Sequence, residues 1–296
     1  MRTELNARIG RTVPSPLFGL LVGSPDTGHA APLGHRRSHR IWSRATWMPV
    51  ALLLALWPHW VYVTRRLWDG SDEPWGVLAL VTVVALLIRD RAQLVLPTRS
   101  ALVACGVLAV VAAFADRALP DLIAAAIAML ALGVFVVYAL RRPAAAIIVL
   151  LLLTLPIIAS LQFYLGYPLR LMVAHASAQL LSIAGWHAEA SGASILHEGI
   201  TVLVDAPCAG IGMLWLGSYA AALLSYLNRA SARRTLLNSV VAALLVLIAN
   251  IVRNTLLFFP EAGLVAWPGA AHGAIGLVAF AGAIVPLTLF AAWGKQ

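Results

Sequence analysis

The chain has 296 residues, 61% of them apolar and 11% charged, with a formal net charge of +9. A soluble domain of this length could not solvate such a surface, and the apolar residues come in blocks long enough for spanning helices. The basic residues lie in short clusters between those blocks, a pattern of membrane topology that argues against a nucleic-acid-binding face.

In chain order, residues 1–45 read as a disordered basic cytoplasmic arm. They carry Arg2, Arg8, Arg11, Arg36, Arg37, Arg40 and Arg44 among Gly and Pro, with no apolar core long enough for a secretory signal. Contact with anionic lipid headgroups is the partner such an arm suggests. Eight apolar blocks follow: Thr46–Thr64, Trp75–Ile88, Ser100–Ala115, Leu122–Leu140, Ala144–Tyr164, Cys208–Leu227, Thr235–Arg253 and His272–Trp293. The second and third are short for a hydrocarbon core about 30 Å thick. The expected fold is an all-α polytopic membrane protein with about eight transmembrane helices and a small periplasmic α/β cap between the fifth and sixth. Residues 46–164 would hold helices one to five, 165–207 the cap, and 208–296 helices six to eight.

Charge supports this threading. With the N-terminus inside, Arg89, Arg91 and Arg99, then Arg141 and Arg142, then Arg229, Arg233 and Arg234, and finally Lys295 fall on the inner side. Arg65, Arg66, Arg117 and Arg170 fall outside with most of the acids, as the positive-inside rule requires of an inner-membrane protein with both ends in the cytoplasm. The outer segment Gly166–Pro207 is too long for a simple connection. It opens on Tyr167-Pro168-Leu169-Arg170 and continues as an amphipathic helix over Leu171–Ile183. Two short strands follow, Trp186–Ala190 and Ile195–Val204, with turn residues at Ser191-Gly192 and Glu198-Gly199. Ordered loops of this length usually carry function.

Two cysteines in separate blocks give no disulfide framework, and Cys105 reads as a small buried hydrophobe. Cys208 differs, because Asp205-Ala206-Pro207 precede it and Pro favours a first helical turn. At a helix N-terminus the dipole and free N–H groups favour a thiolate, and the same N–H groups suit an oxyanion hole. Gly210 and Gly212 would allow another helix or a substrate backbone to approach closely. Arg253 has apolar residues on both sides, so it costs several kcal/mol unless partnered, and snorkelling to the headgroups is its ordinary alternative. Asn250, one turn earlier, shares its face. His272 opens the last block, and threading brings it to the same outer depth as Cys208 and Arg253 on three consecutive helices. A thiol, a cation and a base at one level can perform acyl transfer through a thioester.

These residues resemble the exosortase/archaeosortase membrane transpeptidases. The resemblance rests on Pro168-Leu169-Arg170, Asp205-Ala206-Pro207-Cys208-Ala209-Gly210, Asn250-Ile251-Val252-Arg253-Asn254, and His272 with Gly276. The family commonly reads Ala-Cys-Ser-Gly at its nucleophile, whereas Pro207-Cys208-Ala209-Gly210 marks a divergent subfamily. The resemblance implies Cys208 as nucleophile, Arg253 as stabilising cation and His272 as acid–base, with Asp205, Gly210, Asn250 and Arg170 in support. Asp205 or Glu198 would orient His272. It also implies a substrate: the C-terminal sorting signal of an exported protein, of the PEP-CTERM kind, in an envelope or exopolysaccharide system. No cofactor or metal is required.

Two other classes compete. His175, His187, His197 and His272 all fall outside and invite a metal-dependent hydrolase, but Thr201 stands where a zincin motif starting at His197-Glu198 needs its second histidine. A transporter or assembly subunit of a polysaccharide system would be expected to show inverted repeats or paired broken helices, which the sequence lacks.

Overall fold

The computed structural model describes residues 50–68, 74–268 and 271–293, with the backbone alone at Leu67 and Ala271. The basic arm of residues 1–45, the start of the first apolar block and Lys295 lie outside the described residues. The helices are α1 (Trp57–Trp68), α2 (Trp75–Arg89), α3 (Arg99–Ala118), α4 (Asp121–Ala139), α5 (Ala146–Leu152), α6 (Ile158–Ile183), α7 (Ile211–Leu227), α8 (Ala232–Glu261) and α9 (Ala271–Trp293). Strands β1 (Ala188–Ser191), β2 (Ser194–His197) and β3 (Ile200–Leu203) lie between α6 and α7, followed by a 3-10 turn at Ala206–Ala209.

The protein is mostly helical with one small sheet, and among the described residues five segments are long and apolar enough to cross a membrane. They are Arg99–Ala118, Asp121–Ala139, Ala206–Leu227, Ala232–Glu261 and His272–Trp293. The third apolar block, short in the sequence, becomes the 20-residue α3 because Thr98 caps it, its side chain accepting from the Ala101 N–H at 3.3 Å. Helix α2 stays at 15 residues, about 22 Å at 1.5 Å per residue.

The fifth block does not form the expected single helix. Pro156 cannot donate to the Leu152 carbonyl, so α5 ends at Leu152 and the chain restarts as α6 at Ile158. The outer segment also begins differently. Gly166-Tyr167-Pro168 does not open a loop, and the helix placed at Leu171–Ile183 is the second half of the continuous, 26-residue α6. Pro168 removes one helical hydrogen bond there, while Val173, Ala174, Ser177, Ala178 and Leu181 bury a face along the helix. Ser177 Oγ donates to the Ile251 carbonyl at 3.3 Å, tying α6 to α8.

The strand region contains one more element than expected. Both turn signals are used, and Ile195–Val204 splits at Glu198-Gly199 into β2 and β3, giving an antiparallel sheet of order β1-β2-β3. Glu198 and Gly199 both adopt positive φ, 47° and 82°, as a two-residue hairpin of the primed type requires. Ile195, Val202 and Val204 from the sheet region, Val173, Ala174 and Leu181 from α6, and Phe258 from α8 form one buried cluster.

At the far end of α7, a buried polar network joins four parts of the chain. Arg142 Nη1 pairs with Asp90 Oδ2 at 3.0 Å, Tyr226 Oη donates to the same oxygen at 2.7 Å, and Arg142 Nη2 donates to the Tyr226 carbonyl. Gln93 Nε2 reaches Asp90 Oδ1 at 3.5 Å. Removing one partner of such a buried pair leaves an uncompensated charge. Asp90→Ala should therefore destabilise the detergent-solubilised protein by about 3 kcal/mol, read as a lower midpoint in thermal unfolding. The exposed neighbour Arg89, changed to Ala, should leave the midpoint unchanged.

Candidate active site

Cys208 does not sit in the first turn of an α-helix as expected. It lies in the 3-10 turn Ala206–Ala209, and α7 begins only after Gly210, which holds a left-handed φ of 83°. The reason is steric. A Cβ at Gly210 would come within 2.6 Å of Asn250 Nδ2 and 2.7 Å of its Cγ, so only glycine lets α8 approach here. A Cβ at Gly212, by contrast, would meet nothing within 4 Å.

The backbone of Cys208 is held from two sides. Its N–H donates to the Asp205 carbonyl at 2.9 Å, so this N–H is already used and is not a free oxyanion donor. Its carbonyl accepts from Asn250 Nδ2 at 3.0 Å and from Asn254 Nδ2 at 3.2 Å. Asn254 Nδ2 also donates to the Asn250 carbonyl at 2.8 Å. Asn250 is fully buried, and its Oδ1 has no partner among the described residues. Gln162 Nε2 donates to the Ala206 carbonyl at 3.1 Å, fixing the same turn against α6. Gly166 makes room for that arm, since a Cβ there would meet Gln162 Nε2 at 2.9 Å.

Arg253 lies one turn beyond Asn250 on the same face of α8, and its guanidinium stands within electrostatic reach of the half-buried Cys208 side chain. The same guanidinium contacts α9, with Nη2 3.1 Å from His272 Nε2. A Cβ at Gly276, one turn along α9, would touch Arg253 Nε at 3.3 Å, so the glycine gives the arginine its passage. Arginine is always protonated and only donates, so the facing Nε2 is the acceptor and the ring proton belongs on Nδ1. His272 Nδ1 in turn faces Glu261 Oε1 at 3.7 Å, with both side chains about half exposed.

The structure therefore brings Cys208, Arg253, His272, Asn250 and Gly210 together. Asp205 contributes its carbonyl rather than its carboxylate. Arg170 stays apart from the three, with Nε 3.4 Å from the Gly166 carbonyl and its guanidinium over the Tyr167 ring. The acid beside His272 is Glu261, not Asp205 or Glu198. Glu198 sits at the exposed tip of the β2–β3 hairpin, whereas α8 runs on for two turns past Arg253 and carries Glu261 to the histidine. Sequence reasoning placed Glu261 outside the membrane but missed its partner, because α8 was ended too early. Gln162 and Asn254 were missed as well. The signal for Asn254 was its spacing of four residues from Asn250. His175 bonds its own helix through Nδ1 to the Leu171 carbonyl at 2.8 Å, and His197 Nδ1 lies 2.9 Å from the His187 carbonyl. No group of three metal-ligating side chains gathers among the described residues.

A half-buried cysteine and arginine and an exposed histidine lie near the ends of helices long and apolar enough to cross a membrane. The family follows from the chain as a whole: residues 67–289 match the family model for transmembrane exosortase, and the chain belongs to that family. Its members are in general membrane cysteine transpeptidases. No curated protein and no solved structure matches the chain.

The Gly210 geometry gives a paired test. Gly210→Ala forces both the left-handed backbone and the Asn250 contact, so peptide cleavage should fall by roughly a hundredfold through misplacement of the thiol. Gly212→Ala, which faces open space, should cleave at the wild-type rate in the same assay.

Proposed function

We propose that this protein is a cysteine endopeptidase–transpeptidase that cleaves the C-terminal sorting signal of exported proteins through a thioester on Cys208. The observation that carries this reading is the convergence on one face of α8, where Asn250 and Asn254 hold the Cys208 carbonyl at 3.0 and 3.2 Å and Arg253 Nη2 lies 3.1 Å from His272 Nε2. Burial of the sulfur disfavours the thiolate that attack requires, and the nearby cation offsets part of that cost.

The cycle conserves atoms and protons. The Cys208 thiol passes its proton to His272 and the thiolate adds to the scissile carbonyl, whose oxyanion Arg253 stabilises. The C–N bond then breaks as His272 delivers a proton to the leaving amine, which leaves a thioester. Water or an acceptor amine next loses a proton to His272 and attacks the thioester, releasing the product and the Cys208 thiolate. Glu261, facing Nδ1, balances the charge of the imidazolium present whenever His272 holds the transferred proton. Asn250 and Asn254, by holding the Cys208 carbonyl, fix where the sulfur stands.

The charge asymmetry of the loops supports eight spans in a bacterial inner membrane, both ends in the cytoplasm, and the sheet and site on the periplasmic side. In this reading the broken α5–α6 pair supplies the fifth span, and the helical residues from 50 to 68 supply the first. Family membership supports, as part of this proposal, a substrate with a short motif followed by an apolar helix and a basic tail, and a link to envelope polysaccharide.

The test is processing in cells of a tagged exported protein ending in Pro-Glu-Pro, an apolar helix and arginines. Cys208→Ala should abolish processing while the protein still accumulates in the membrane, and normal processing would refute the mechanism. Arg253→Lys should lose at least a hundredfold, because an ammonium cannot serve sulfur and imidazole together as the planar fork does.

A further inference from the structure

The strand that leads into Cys208 has an open edge. β3 is the last strand of the sheet and pairs with β2 alone. Because the β2–β3 hairpin has a two-residue loop, His197 and Ile200 form the hydrogen-bonded pair beside it, and alternation makes Ile195 and Val202 the next such pair. The bond from Val204 N–H to the Ala193 carbonyl, 2.9 Å, continues that alternation. The N–H and C=O groups of Thr201 and Leu203 therefore point away from the sheet. Both residues are exposed, and no described residue bonds their backbone.

Proteins usually guard such an edge with Lys, Pro, a bulge or a covering helix. Ile200-Thr201-Val202-Leu203 has no charge and no Pro, and α6 packs over β1 and β2. The edge also leads straight to the nucleophile. From Leu203 the chain passes through Val204 and Asp205 into the turn that holds Cys208, and Val202 and Val204 belong to the buried cluster against which the Cys208 side chain packs. Edge and thiol are thus parts of one packed unit. A peptide bond presented to a thiolate lies in extended chain, and an open edge is a template for extended chain.

We propose that the free edge of β3 is the docking site of the peptide substrate. The extended residues beside the scissile bond add as a fourth strand, exchanging hydrogen bonds with Thr201 and Leu203, and this register carries the scissile carbonyl to Cys208. The occupant is the flexible segment of an exported protein next to its cleavage point. Leu203, 58% exposed, and Leu196 on the same face favour apolar side chains at alternate positions of that segment. This inference rests on the protease reading above and adds how the substrate is held.

The experiment uses the purified full chain in detergent and a synthetic peptide spanning the junction of the Pro-Glu-Pro-tagged protein. Thr201→Pro removes one outward N–H and leaves the β2 ladder intact, since proline is tolerated where an edge N–H faces out. Thr201→Val changes the side chain and keeps the N–H. Losing one backbone hydrogen bond should raise KM roughly five- to tenfold in Thr201→Pro with kcat within about twofold, while Thr201→Val behaves as wild type. Alkylation of Cys208 at the wild-type rate confirms that the Pro variant keeps its site. A second arm needs no variant: N-methylating each amide of the peptide in turn should weaken cleavage by wild type at alternate positions only. An unchanged KM in an intact Thr201→Pro variant, or an N-methyl scan without alternation, overturns the docking proposal. Failure of wild type to cleave the peptide at all refutes the protease reading itself.

Discussion

A guanidinium set in an apolar helix is the constraint around which the rest of this site is arranged. Arg253 has Ile251 and Val252 before it and Thr255, Leu256 and Leu257 soon after, and in such surroundings its charge costs several kcal/mol unless acceptors come to it. They come from two other segments: Cys208 from the turn before α7 and His272 from the start of α9. Three segments must therefore converge at one level, and the small residues lie where convergence is tightest. Gly276 lets the arginine pass α9, and Gly210 lets Asn250 reach the backbone of the cysteine. The pairing also decides the state of the histidine. With a permanent donor at Nε2, the ring proton belongs on the Glu261 side, so the resting base is already the correct tautomer.

One face of α8 thus performs two tasks that chemistry usually divides. Asn250 and Asn254 bind the Cys208 carbonyl and set where the sulfur stands, while Arg253 places its charge near that sulfur. Position and reactivity are coupled through a single rigid element, so a shift of α8 alters both together. The unpartnered, fully buried Oδ1 of Asn250 fits this view, because the amide is oriented by the demand of the Cys208 carbonyl at the expense of its own oxygen.

Much of this was legible in the sequence, for physical reasons that differ between residues. Arg253 stood out by cost alone, since no hydrophobic period explains a charge in that place. Cys208 and His272 read as catalytic only when their shared outer depth, which follows from counting apolar blocks, and the family resemblance are added. Boundaries were harder to read. Apolar periodicity cannot show that Pro156 ends α5 while Pro168 leaves α6 intact, because that difference depends on what the following residues bury: Val173, Ala174 and Leu181 join the cluster shared with the sheet, and the tertiary gain outweighs one lost hydrogen bond. Glu261 was hidden by the same limitation. The polar pair Asn254-Thr255 interrupts the apolar run after Arg253, but the helix continues because Leu257 and Phe258 are buried, and it carries the acid with it.

α7 is the fixed post that these contacts share. At its start, two asparagines and Gln162 hold the turn bearing Cys208. At its end, the Tyr226 hydroxyl donates to Asp90 while the Tyr226 carbonyl accepts from Arg142, so one residue is tied through both side chain and backbone. Between them, Gly217 brings α7 so close to α8 that a Cβ there would lie 2.6 Å from Val246. Polar ties at both ends and close packing between them leave the helix little freedom to slide or rotate. A thiol that meets a carbonyl to within a fraction of an ångström, as proposed for Cys208, needs that fixity. The polar network far from Cys208 therefore belongs to the same design as the residues that touch it.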